Sequence, residues 1–186
     1  MNTNRQWVLA KRPHGMVTRD NFEYRESPIP SISDGEVLVR NLYLSFDPTQ
    51  RGWMEDRESY LPPVGLGEVM RAGSVGQIAE SRHADFKVGD LVQTTGGWQD
   101  FVAVRPGMGW PGLNKLPPGV TPPMALGVLG VTGLTAYWGL LDLGQPKPGE
   151  TVLVSGAAGA TGSIAGQIAR IKGCRVVGIA GGADKC

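Results

Sequence analysis

Apolar and polar residues alternate in short runs over the first two thirds of the chain, and the period changes after Pro122. Residues 6–10 read as a brief strand. Residues 36–45 read as a stronger one, with Val37, Val39 and Asn41 on one face and Leu38, Leu42 and Leu44 on the other. Both faces are largely apolar, which places this strand near the centre of a sheet or barrel. Asp34-Gly35 ahead of it is a turn signal. Residues 66–70 and 76–79 are expected to pair, with Gly73 and Gly76 around the bend. Residues 87–90 turn into a strand at 91–94. Residues 98–104 are expected to return beside that strand across Gly96-Gly97, a hairpin signal. The pattern predicts a partly closed β domain over residues 1–122.

Beyond Pro122, residues 131–143 are helical in composition and spacing and are broken at Gly144. Residues 145–150, with Pro146, Pro148 and Gly149, make a connector. Residues 151–155 are a short β-branched run of the kind that a parallel sheet buries on both faces. Residues 161–172 fit a helix whose apolar stripe is Ile164, Ala165, Ile168, Ala169 and Ile171. Arg170 and Lys172 sit where the helix dipole favours cations, and Gly173 follows as the terminating residue. Residues 175–180 are a second buried-type strand, so residues 123–186 predict a β-α-β unit with parallel strands. Such a pair leaves an exposed edge and a bare face. The sequence therefore reads as the N-terminal portion of a longer protein, or as one that needs another chain.

Composition narrows the function. The formal charge of +1 implies no steering field, which argues against nucleic acid and membrane surfaces as partners. Lys11-Arg12 and the scattered tryptophans form no basic, aromatic-interleaved surface. Residues 1–12 hold no apolar core long enough for a signal peptide. Residues 124–141 carry no charge, yet Gly127, Gly130, Gly133 and Gly139 lower their transfer energy. They read as a buried loop and helix at a domain junction, not as a membrane span. The 28 glycines and 14 prolines predict many turns and close backbone approach. Two cysteines, Cys174 and Cys186, staple no framework and fit a reducing, cytoplasmic location.

The sharpest constellation is Ser155-Gly156-Ala157-Ala158-Gly159-Ala160-Thr161-Gly162, between the strand at 151–155 and the helix after it. Small residues let a backbone approach a pyrophosphate, and the bare N–H groups of the first helical turn face its charge. The spacing is G-x-x-G-x-x-G, a variant of the G-x-G-x-x-G dinucleotide fingerprint. A tight strand-to-helix connection without a ligand is the plain alternative. A P-loop would need a lysine after the last glycine, and Gly162 is followed by Ser163. The second strand runs into Ala180-Gly181-Gly182-Ala183-Asp184-Lys185. No acid stands at the strand tip to hold an NAD ribose, and Lys185 can meet a 2′-phosphate. Asp184, which could bind a ribose, is the counter-argument. NADPH/NADP+ is the favoured cofactor.

With these residues in hand, the chain resembles the medium-chain dehydrogenase/reductase superfamily. It is most similar to the zinc-independent prostaglandin reductase, leukotriene B4 dehydrogenase and curcumin reductase group. The carrying segments are Asn41-Leu-Tyr-Leu-Ser-Phe-Asp47-Pro48, Gly67-Glu-Val-Met-Arg-Ala-Gly73, Gly130-Val-Thr-Gly-Leu-Thr-Ala-Tyr137, residues 149–159 and residues 180–186. The resemblance implies a mixed β and α/β fold. A GroES-like catalytic domain over 1–122 would be followed by the start of an NADP-binding Rossmann domain over 123–186, incomplete here, with the active site in the cleft between them. It implies that Gly156, Ala157, Gly159, Ala160 and Thr161 form the pyrophosphate loop and that Lys185 meets the 2′-phosphate. Met124, Thr132 and Tyr137 match the segment close to the nicotinamide. Asp47, Pro48 and Arg51 match the stretch that helps form the cleft, with Tyr60 nearby. Many relatives read Tyr-Met-Arg where this chain has Thr49-Gln50-Arg51.

Zinc alcohol dehydrogenases place a cysteine near residues 45–47 and a histidine before Glu68, and neither is present. His14 and His83 are the two histidines, and no cysteine precedes Cys174, so no metal site is expected. Without a metal to polarise a hydroxyl, the better match is reduction of a C=C bond conjugated to a carbonyl. The enolate oxygen then needs a donor, for which Tyr137, the cofactor ribose or water all qualify. Tyr60 and Arg51 line or shape the pocket in this reading. In the bland one, Tyr137 packs a helix and Arg51 staples the domain. The expected substrate is a small hydrophobic enone, alkenal or quinone, and the resemblance admits a homodimer of the full-length form. Quinone reduction is one alternative function. A non-catalytic structural or interaction module with a vestigial loop is the other.

Overall fold

Strand pairing in the N-terminal region is organised by one buried asparagine and by backbone contacts between distant segments. The computed structural model describes residues 3–108 and 112–186. The chain divides into two units, Met1–Pro122 and Pro123–Cys186. In the first, β1 (Thr3–Leu9) and β2 (Phe22–Pro28) form an antiparallel hairpin, and β3 (Val37–Leu44), β4 (Ser74–Ser81), β5 (Leu91–Thr94), β6 (Phe101–Val104) and β7 (Asn114–Lys115) form an antiparallel sheet of order β6-β3-β4-β5-β7. Asn4 ties β1 to that sheet. Its side-chain amide donates to the Phe101 carbonyl at 2.9 Å, and its Oδ1 accepts from the Phe101 N–H at 2.9 Å. A buried amide so satisfied in both directions acts as a short piece of strand ladder.

Strand β3 is flanked by β4 and β6, as its two-sided apolar pattern anticipates. Val37, Leu38 and Val39 are buried, while Leu42 and Tyr43 in its second half are exposed. Val37, Val39, Ile78, Val92 and Leu113 make one core; Leu9, Trp53, Met54, Val64 and Met70 make another.

Two expected pairings are corrected. Residues 66–70 do not pair with 76–79. They bond to β1 instead, with Leu9 N–H donating to the Glu68 carbonyl and Met70 N–H to the Trp7 carbonyl, both at 2.9 Å. The residues 76–79 belong to β4, between β3 and β5. The Gly96-Gly97 step does not fold 98–104 back on β5 either. Trp98 and Asp100 bond to β1, through Trp7 N–H to Trp98 C=O at 2.9 Å and Asp100 N–H to Arg5 C=O at 3.0 Å, and β6 then pairs with β3.

The second unit carries α2 (Pro122–Leu126, beginning at the boundary), α3 (Val131–Tyr137), β8 (Thr151–Ser155), α4 (Ala160–Ile171) and β9 (Arg175–Ile179). The single helix expected over 131–143 changes winding at Trp138. Trp138–Gly144 is π-helical, with Gln145 N–H donating five residues back to Leu140 C=O at 2.8 Å and Gln145 left-handed at φ 45°. Strands β8 and β9 are parallel, as expected. Their burial is one-sided: Val154 is buried, whereas Leu153, Val177 and Ile179 are exposed. The reason is that α4 packs on the pair while, among the described residues, nothing covers the opposite face. On α4, Ile164, Ala165, Ile168 and Ala169 turn inward, and Ile171 in the last turn stays exposed. Among the described residues no helix is long and apolar enough to cross a membrane.

Candidate functional site

The strand-to-helix step after β8 is built from residues with no side chain beyond a methyl until Thr161. Ser155 ends the strand and Gly156 turns the chain at φ +61°, a conformation that side chains resist. Gly159 N–H closes the turn on the Gly156 carbonyl at 2.8 Å and Ala157 N–H ties the loop to Ile179 C=O at 3.0 Å. Gly159 then caps α4 in extended conformation, and Ser163 N–H donates back to its carbonyl at 2.9 Å. The amides of Ala160, Thr161 and Gly162 precede the first intrahelical bonds and carry no partner among the described residues. They present three donors and the positive end of a helix of 12 residues.

Gly162 is set by contact. A Cβ there would collide with the carbonyl oxygen of Gly156, so the first helical turn lies directly on the loop. The close helix-to-strand approach is at Gly166, where a Cβ would meet the Val176 side chain at 3.5 Å. Because β8 and β9 run parallel, the glycine loop and residues 180–186 leave the strands at the same end. Ala183–Lys185 is a short helical turn with Asp184 and Lys185 exposed. No carboxylate pairs with Lys185 among the described residues. The structure thus brings Gly156, Ala157, Gly159, Ala160, Thr161 and Lys185 to one end of one unit. That end is a cradle of small residues with free donors and an unpaired cation, and it fits an anionic diphosphate.

The other candidates stand on other elements. Met124 is an exposed residue of α2, and Thr132, near the start of α3, donates its hydroxyl to Gly127 C=O at 3.1 Å. Tyr137, the last residue of α3, is half-exposed and stands edge-on to Trp138 at 5.6 Å. Tyr60 and Arg51 belong to the first unit. Tyr60 is exposed and stands edge-on to Trp53 at 6.5 Å, with Arg71 stacked over Trp53 at 5.4 Å. Arg51 sits in α1 (Thr49–Trp53), which starts after Asp47-Pro48. Ser45 Oγ donates to Asp47 Oδ2 at 2.5 Å, and Gln50 N–H donates to the Asp47 carbonyl at 3.0 Å. The Arg51 guanidinium donates to Gly15 C=O at 3.0 Å, to Pro13 C=O at 3.4 Å and to Glu55 Oε1 at 2.9 Å. In this structure it holds the chain together.

Sequence reasoning missed Arg12, which clamps the other end of the same segment. Its Nη1 donates to Met54 C=O at 2.8 Å and Val64 C=O at 3.2 Å. No motif marks an arginine whose partners are carbonyls, so its signal was absent. Among the described residues, no three of His, Cys, Asp and Glu gather closely enough to hold a metal ion.

Residues 5–111 match the family model described as the N-terminal domain of oxidoreductase. The chain is 50% identical over 183 residues to an NADPH-dependent curcumin reductase of Escherichia coli (strain K12), covering 98% of this chain and 52% of that protein. It is 42% identical over 183 residues to prostaglandin reductase 1 of Rattus norvegicus, covering 96% of this chain and 52% of that protein. The crystal structure of CurA from Vibrio vulnificus in complex with NADPH superposes with a TM-score of 0.89 at 52% identity, over 98% of this chain and 53% of that one. The quinone oxidoreductase from Thermus thermophilus superposes at 0.65 and 30% identity, over 97% of this chain and 55% of that one. The chain spans about half the length of the curated relatives it matches.

Proposed function

The chain belongs to the oxidoreductase family of the medium-chain dehydrogenase/reductase superfamily that holds the curcumin and prostaglandin reductases, and from that premise we propose that it is part of an NADPH-dependent reductase of C=C bonds conjugated to a carbonyl. The observation that carries this reading is the row of unpartnered amides at Ala160, Thr161 and Gly162, opened by small side chains. They bind the diphosphate of the dinucleotide, and Lys185 meets its 2′-phosphate. When bound, NADPH would supply the hydride that the β carbon of the enone takes up, with a proton going to the α carbon, so that one C=C bond would become C–C and NADP+ would remain.

The negative charge that builds on the carbonyl oxygen calls for a donor. Tyr137 is half-exposed, its hydroxyl has no hydrogen-bond partner among the described residues, and it is the side chain assigned here. Tyr60, exposed beside Trp53, contributes apolar surface to the substrate. Arg51 holds the segment that carries it. Met124 and Thr132 border the nicotinamide end. We propose that this reaction needs no zinc, a reading supported by a sequence with two histidines, His14 and His83, and no cysteine before Cys174. The free thiols of Cys174 and Cys186 suit a cytoplasmic setting.

Quinone reduction is the second reading, favoured by the likeness to the Thermus thermophilus enzyme. The test follows loss of NADPH by the full-length protein with alkenals, aryl enones and quinones in parallel. Enone rates at least about tenfold above quinone rates support the proposal. Faster quinones would replace it with the second reading. NADPH that is not bound at all would leave a non-catalytic module.

A further inference from the structure

Five aromatic rings in the first unit surround an open groove that the proposed reduction does not use. The groove has a volume of about 550 Å³ and mostly apolar walls. Trp98 lines it, with its ring 5.0 Å from that of Phe22 and 5.4 Å from that of Phe46, which line it too. Trp7 and Tyr24, facing each other across β1 and β2 at 5.5 Å, continue the wall. Phe46 is 78% exposed, unusual for a ring that already has an aromatic neighbour. Solvent-facing aromatics grouped around one concavity are a binding feature more often than a packing one.

The charges on the rim are unequal. Arg5 and Asp100 neutralise each other through a bidentate pair, Nε to Oδ2 at 2.6 Å and Nη2 to Oδ1 at 3.0 Å. Arg19, on the turn between β1 and β2, also lines the groove and pairs with no carboxylate among the described residues. The site therefore offers ring faces and edges for a flat apolar body and one uncompensated guanidinium for an acidic group. A volume of this size holds a small molecule of a few fused or linked rings, and is too small for a helix.

We infer that this groove is a second ligand site, specific for planar aromatic or conjugated anions, which stack on Trp98 and Phe46 and place their acidic group at Arg19. It lies wholly within the first unit and is independent of the hydride-transfer reading.

The experiment titrates the 186-residue chain with anilinonaphthalene sulfonate and, in parallel, with uncharged phenylnaphthylamine. Four proteins are compared: wild type, Phe46→Ala, Arg19→Ala and Leu153→Ser. All three altered side chains are exposed, so the fold is retained, and circular dichroism checks it. The sulfonate saturates at one per chain. Phe46→Ala weakens both probes at least about fivefold. Arg19→Ala weakens the sulfonate at least about fivefold and leaves the uncharged probe within about twofold. Leu153→Ser, on the bare face of β8, changes neither. Binding that survives Phe46→Ala, or that Leu153→Ser removes, would overturn the proposal. So would a dimer in sedimentation that Phe46→Ala dissociates, since a second copy would then be the occupant.

Discussion

The guanidinium of Arg51 lies on the backbone carbonyl of Gly15, 36 positions earlier, with Nη2 at 3.0 Å from the oxygen. With Pro13 C=O and Glu55 as further acceptors, it joins α1 to the segment after β1. A lysine keeps the charge and loses the fork, so it cannot serve all three acceptors. Arg51→Lys and Arg51→Ala should each cost about 1–2 kcal/mol of stability, since carbonyls lose a charged donor in a half-buried place. Urea unfolding followed by tryptophan fluorescence checks this. If Arg51 instead touched substrate, KM would rise with no shift in the unfolding midpoint.

Gly162 and Gly166 make a matched pair on α4. A methyl group at Gly162 meets backbone of Gly156 and Ala157 on the loop, where neither side can yield without moving the turn. A methyl group at Gly166 meets the Val176 side chain at an ordinary 3.5 Å. Gly162→Ala should lower NADPH affinity at least about tenfold, because the loop must withdraw from the helix start that presents its amides. Gly166→Ala should leave affinity within about twofold. Calorimetry on the two variants decides. Equal affinity in both would mean that the loop does not hold the diphosphate.

The parts of this fold that could be read from sequence are the local ones. The small-residue string from Gly156 to Gly162 and the apolar runs around it are contiguous, and strand, loop and helix follow from sterics within a few residues. The apolar run on both faces at residues 37–39 likewise marks a central strand. Pairing partners were not legible in the same way. Residues 66–70 and 98–100 both bond to β1 through backbone groups, and a backbone N–H carries no trace of which distant carbonyl it meets. The burial of β8 and β9 is lower than their pattern suggests for a related reason: Leu153 and Ile179 are core-type side chains yet exposed, and an apolar side chain carries no record of which element packs on it. Arg51 was identified as a candidate, but its role depended on two carbonyls, at Pro13 and Gly15, that no side-chain pattern records.

Acid should weaken the attachment of β1 before it weakens the rest of the first unit. The Arg5 side-chain hydrogen bonds hold the Asp100 carboxyl below its ordinary range, against the effect of its partial burial, and the Arg5 N–H adds to them. A carboxyl depressed by folding contributes stability above its unfolded value, and that contribution is lost as pH falls through the folded value. The window is therefore below about pH 4. Asp100→Asn should show a shallower fall of the urea midpoint from about pH 4 downward than wild type, with the two converging at the acid end. Asp90, held low by Lys115, remains in both proteins and cancels from the difference. Parallel curves would mean that the Arg5 pair contributes nothing to stability.

Cofactor choice rests on the residues just past Ile179. A site that reads NAD places a carboxylate at the tip of this strand to accept the ribose hydroxyls. Here the strand ends in Ala180-Gly181-Gly182, so the tip has room and no charge, and the nearest acid and base are Asp184 and Lys185 in the succeeding turn. Their two side chains make opposite demands. Lys185 favours a 2′-phosphate, and Asp184 repels one. Lys185→Ala in the full-length protein should raise the KM for NADPH at least about tenfold and leave that for NADH within about twofold. Asp184→Ala should leave the KM for NADH within about twofold, because an aspartate that bound the ribose would be needed by NADH, and should not raise that for NADPH, whose 2′-phosphate it repels. If Asp184→Ala weakens NADH while Lys185→Ala moves both cofactors together, the acid reads the ribose and the preference for NADPH is wrong.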